Sequence, residues 1–62
     1  MRTIELKRKL RKAGCYFLED GTNHEWWFSP INGKRFQVPR HASEDVGKTL
    51  QNYISKQSGV SL

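Results

Sequence analysis

The chain has 62 residues, 35% of them apolar, with a mean hydropathy of −0.78, which describes one small folded domain that buries only about 60% of its unfolded surface. A single cysteine excludes an internal disulfide and a cysteine-built metal site, and no apolar run approaches the roughly 20 residues that cross a bilayer. The formal net charge is +5 and is unevenly placed: residues 1–12 hold six Lys/Arg against Glu5 alone, whereas the remaining fifty residues are balanced.

A basic segment of this kind suits a phosphate backbone or an acidic protein surface. Seven aromatic side chains supply the large blocks of buried area that a short chain needs. The lone thiol favours a reducing cytoplasm. The charged first residues are not followed by the apolar stretch of a signal peptide.

The first element is a helix over residues 3–13. Thr3 is a plausible N-cap and Glu5 suits the first turn. Leu6, Leu10 and Ala13 repeat at helical spacing, the Lys and Arg residues fill the rest of the circumference, and Gly14 can take the left-handed position that ends the helix. Cys15-Tyr16-Phe17-Leu18 reads as a first strand and residues 20–23 as a turn. His24 through Ser29 is the second strand. Residues 30–33 form the next turn, carrying an Asn-Gly pair, and Lys34 through Val38 is the third strand, ended by Pro39.

Tight turns join the three strands into an antiparallel meander. Alternation puts Trp26 and Phe28 on one face of the second strand and Trp27 on the other, and it turns Glu25 away from His24. Two rings against one favours burying Trp26 and Phe28, although Trp27 alone is large enough to keep the opposite choice open. A turn is expected at residues 42–46, with Glu44-Asp45 as a turn or helix-start feature. A second helix then runs from Lys48 or Thr49 to Ser58, with Leu50, Tyr53, Ile54 and Gln57 inward and Gly59 closing it. The order is α-β-β-β-α, an α+β arrangement of a three-stranded antiparallel sheet with two helices on one face.

Four pieces taken together resemble one family. They are the Lys/Arg-rich helix ending in Gly14, the turn Gly21-Thr22-Asn23-His24, the Pro39-Arg40-His41 step, and the Thr49-Leu50…Ile54…Lys56-Gln57…Gly59 helix. In this order, and across nearly the whole chain, they are similar to the HicA toxins of bacterial toxin–antitoxin systems. Thr22 stands where that family usually carries Ser, which keeps the hydroxyl. The resemblance implies a single HicA-like domain with a fold like that of double-stranded-RNA-binding domains, and an endoribonuclease that cleaves mRNA in the cytoplasm. It also implies a HicB-type antitoxin as partner and places the catalytic histidine at His24.

RNA can be cut without a metal or other cofactor when a base deprotonates the 2′-hydroxyl beside the scissile phosphate, an acid protonates the leaving 5′-oxygen, and cations steady the added phosphate charge. Histidine suits both proton transfers, and Lys and Arg suit the charge stabilisation. In a meander, the start of the second strand lies opposite the end of the third, so His24 is expected near Val38 to His41. His41 and Arg40 are therefore the candidate helpers of His24. Lys7, Arg8, Arg11, Lys34, Arg35 and Lys48 are the candidate RNA-binding cations. The free protein is expected to be a monomer. Without the resemblance, two other readings remain: a non-catalytic double-stranded-RNA-binding module, and an interaction protein whose basic face docks on an acidic partner. His24 in its turn is the feature that simple binding does not require.

Overall fold

The computed structural model describes residues 1–41 and 45–62. In chain order it contains α1 (Thr3–Lys12), β1 (Tyr16–Asp20), β2 (His24–Ser29), β3 (Lys34–Pro39) and α2 (Lys48–Ser58), the α+β order expected from the sequence. The strands form one antiparallel sheet in the order β1-β2-β3. Both helices lie on the face that carries Glu25, Trp27 and Ser29: Lys7 and Arg11 of α1 reach Glu25 and the Trp27 ring, and Ser58 of α2 meets Ser29.

The core is one cluster of Leu6, Leu10, Cys15, Trp27, Phe36, Val38, Val46, Ile54 and Val60, with Met1 and Leu62 packed against it. Leu6 and Leu10 share the inner stripe of α1 with Thr3 and Lys7. The helix begins at Thr3 as expected, but its N-cap is Arg2 rather than Thr3: the backbone N–H groups of Glu5 and Leu6 both donate to the Arg2 carbonyl, and Thr3 is buried in the first turn. At the other end Ala13 is the C-cap and Gly14 follows at φ +100°. Cys15 N–H donates to Leu10 O (2.9 Å) and Gly14 N–H to Arg11 O (3.0 Å), the paired bonds of a Schellman ending, with Leu10 and Cys15 making the apolar closure.

The face chosen by β2 is set by β3. Phe36 and Val38 alternate with Arg35 and Gln37, and the register places Trp27 opposite Phe36 and Trp26 opposite Gln37. Trp27 is therefore fully buried, while Trp26 and Phe28 lie on the helix-free face and are only partly covered. Counting rings on β2 alone pointed the other way, because the deciding alternation lies on its neighbour.

β1 begins after Cys15 and extends to Asp20, past the expected Leu18. A bulge between Phe17 and Glu19 shifts the register, so that Tyr16 pairs with Phe28, Glu19 with Trp26 and Asp20 with Glu25. The bulge reverses the alternation. It delivers Glu19 to the open face, where it meets Arg35 (3.5 Å), and turns Asp20 to the other side, toward Arg40 (3.8 Å).

Residues 42–44, and with them most of the turn expected at 42–46 and Glu44, lie outside the described residues. Asp45 forms an antiparallel bridge with Arg2, and Val46 N–H donates to Met1 O (2.7 Å). α2 then runs as expected, but its inner stripe differs. Ile54 and Ser58 are buried and Gln51, Ser55 and Gln57 half-buried, whereas Leu50 and Tyr53 are exposed. The small Ser58 allows this rotation: its carbonyl accepts a hydrogen bond from the buried Ser29 hydroxyl at 2.5 Å, bringing helix and sheet close along the 51/54/55/58 flank.

Candidate active site

The turn after β1 is closed by a hydrogen bond from Gly21 N–H to His24 O (2.7 Å). A Cβ on Gly21 would lie 3.0 Å from that same oxygen and 3.4 Å from Trp26 Nε1. A side chain at this position would crowd the turn, which favours glycine. His24 is the first residue of β2, exposed, and directly opposite Pro39, the last residue of β3. Asn23, His24, Pro39, Arg40, His41 and Leu50 line a hollow of about 300 Å³ at this end of the sheet. His24, Arg40 and His41 are thus brought to one place, as the order of the strands implied.

Arg40 is anchored in the wall of the hollow. Its Nη2 donates to the Gly21 carbonyl and its Nε stands 3.8 Å from Asp20 Oδ1, which braces the turn that presents His24. No acceptor among the described residues hydrogen-bonds Arg40 Nε. Beneath it, Lys7 Nζ lies 3.0 Å from Glu25 Oε1 and donates to the Arg40 carbonyl at 3.2 Å. Trp27 Nε1 donates to the same Glu25 oxygen at 2.9 Å. The Lys7 and Glu25 side chains are only 11% and 16% exposed. Burial alone would raise the Glu25 carboxyl, but hydrogen bonds from Trp27 and Lys7 and the charges of Lys7 and Arg40 outweigh it and hold it below the ordinary carboxylate value.

The basic residues divide accordingly. Lys7 is buried and doubly engaged, so it faces the protein and not solvent. Arg8 and Arg11 are exposed on α1, and Arg11 lies 5.2 Å from the Trp27 ring centroid. Lys48 is exposed in the first turn of α2, two residues before Leu50 of the hollow. Lys34 and Arg35 sit at the far end of β3, with Lys34 about 16 Å of strand from Pro39. Arg35 stacks on Trp26 at 4.9 Å and pairs with Glu19. Reading the residues one by one missed Glu25, Asp20 and Leu50. The charge of Glu25 inside an apolar strand was the available signal for a buried partner, and α1 holds that partner at Lys7. No group of three or more His, Cys, Asp or Glu among the described residues is placed to hold a metal ion.

The chain matches the HicA family model, described as the HicA toxin of bacterial toxin–antitoxin, over residues 5–60. The chain belongs to the HicA toxin family. Among curated proteins it is 40% identical over 60 residues to "Probable mRNA interferase HicA 2" of Photorhabdus laumondii subsp. laumondii, covering 97% of this chain and 98% of that one. No solved structure matches the chain. Among the described residues, no helix is long and apolar enough to cross a membrane.

Proposed function

We propose that the chain is an endoribonuclease toxin that cleaves mRNA in the cytoplasm without a metal, with His24 as catalytic acid or base. Family membership and the name of its relative support the substrate and reaction class. The observation that carries the assignment of residues is the shared hollow of His24, Arg40 and His41. An imidazole there takes the proton of a ribose 2′-hydroxyl as its oxygen bonds to phosphorus. The bond from phosphorus to the 5′-oxygen breaks, and a second proton donor returns a proton to that oxygen. His41 is the second imidazole in the hollow, and Arg40 supplies fixed positive charge for the phosphate. Lys48, Arg8 and Arg11 are exposed cations for the flanking backbone, and Lys34 and Arg35 extend the contact along β3. A HicB-type antitoxin is the partner that silences the monomeric toxin.

The test is a paired assay in the presence of chelator, following both RNA cleavage and RNA binding by the parent and by His24→Ala. The expected result is cleavage by the parent and a loss of at least about 100-fold in the variant with binding retained. Binding without cleavage by the parent would leave an RNA-binding module in place of an enzyme. Equal cleavage by both proteins would remove His24 from the mechanism. In cells, the parent is expected to arrest growth unless the antitoxin is co-expressed, and His24→Ala is not.

A further inference from the structure

α2 leaves three side chains out of the core along one flank: Leu50, Tyr53 and Gln57, about one per turn. Leu50 borders the hollow of His24. Tyr53 and Gln57 border a second hollow of about 200 Å³, whose remaining lining is Trp26, Arg35, Phe36 and Gln37. The two hollows follow one another along α2 and β3. Across the sheet, His24 faces Pro39 in the first and Trp26 faces Gln37 in the second. His24 and Trp26 are two residues apart on the same side of β2, about 6.6 Å along the strand.

We propose that the second hollow is a nucleobase subsite, which takes an unpaired base of the RNA whose neighbouring phosphate lies at His24. The inference rests on the reading of His24 given above and adds a ligand-binding role to Trp26, Gln37, Tyr53 and Gln57, which that reading does not use. The lining has the composition that base recognition needs. Trp26 and Tyr53 supply aromatic rings, and Tyr53 is 56% exposed, so its ring is not committed to the core. The Arg35 guanidinium already lies over the Trp26 ring, 4.9 Å from its centroid, a planar cation held where a base would stack; bases stack on guanidinium planes as well as on aromatic rings. Gln37 and Gln57 each carry an amide donor and acceptor for the edge of a base. Among the described residues the ion-pair partner of Arg35 is Glu19, through an exposed contact of 3.5 Å, which is weak enough to yield. A base inside a duplex hides both its faces and its pairing edge, so the ligand is single-stranded RNA.

The test uses probes that do not depend on cleavage: the four 5′-nucleoside monophosphates, and a single-stranded RNA methylated at every 2′-oxygen. Nucleotide is expected to quench indole emission and to shift the NMR signals of Tyr53 and of the Gln37 and Gln57 side-chain amides. Tyr53→Ala, a surface change, is expected to weaken binding of the methylated RNA about 5- to 100-fold, while Tyr53→Phe retains it. Gln37→Ala and Gln57→Ala are expected to narrow the differences among the four nucleotides. Tyr53→Ala binding the RNA as tightly as the parent would overturn the proposal. So would unchanged RNA affinity together with lost affinity for the antitoxin, which would give the surface to a protein. If His24→Ala still cleaves, the active-site reading fails while these binding measurements remain readable. If His24→Ala is inactive and Tyr53→Ala changes nothing, the subsite alone falls.

Discussion

Lys7 is one of six cations in the first twelve residues, yet it behaves unlike the exposed ones. Its ammonium group joins α1 to β2 through Glu25 and to the end of β3 through the Arg40 carbonyl. Removing one partner of a buried pair leaves an uncompensated charge, a cost on the order of 3 kcal/mol, against a total stability of roughly 3–9 kcal/mol for a domain this size. Lys7→Met is therefore expected to lower the thermal midpoint sharply, and Glu25→Gln added to it to restore part of the loss, because the amide oxygen can still accept from Trp27. Calorimetry of the two variants checks this; no effect of Lys7→Met would show the pair to be dispensable. Glu25 also fixes a pH dependence. Its carboxyl is held below the ordinary carboxylate value in the folded state, so its stabilisation is complete above that ordinary value and is lost as pH falls through the lowered folded one. Melting curves between pH 6 and 3 should show a steeper acid loss in the parent than in Glu25→Gln.

At the scale of elements, the ending of α1 and the bulge in β1 do different work. The Schellman ending turns the chain so that Cys15 enters the core and β1 starts in register. Gly14 sits at φ +100° with only ordinary contact, 3.4 Å to Pro30 Cγ, awaiting a Cβ. Gly14→Ala thus tests backbone conformation alone and is expected to cost about 1–2 kcal/mol, read as a fall in denaturant midpoint with an unchanged slope. This ending was legible in the sequence, since a helical stripe running straight into glycine has few other outcomes. The bulge was not, because Tyr16-Phe17-Leu18-Glu19-Asp20 carries no glycine to mark it and its register depends on β2. The same limit applied to Trp27 and to α2. Phe36 and Val38 on a neighbouring strand decide which tryptophan is buried, and the close approach of Ser58 to Ser29 decides which flank of α2 faces inward. Periodicity within one element finds a helix or strand readily, but it chooses among its faces poorly when two are partly apolar.

At the scale of the whole molecule, the core among the described residues is nine side chains covered on a single face of the sheet. The other face carries Tyr16, Trp26 and Phe28, with the Tyr16 and Phe28 rings 5.5 Å apart. The meeting of His24 with Arg40 and His41 was legible from strand order alone, because any β2–β3 hairpin brings those ends together. The groove beside it was not, since it depends on the rotation of α2. An architecture with so small a core gains measurably from any ligand that binds only the folded form.

Cys15 makes that gain easy to read. It is the only thiol, it is 2% exposed, and it sits at the junction of α1 and β1 beneath Leu10. A buried thiol does not react until the structure opens, so its labelling by a small electrophile acts as a clock for unfolding. Where reclosing is fast, saturating antitoxin should slow that clock by one plus the ratio of its free concentration to its Kd. A labelling rate unchanged by a bound antitoxin would mean that the chain opens at this junction without unfolding elsewhere.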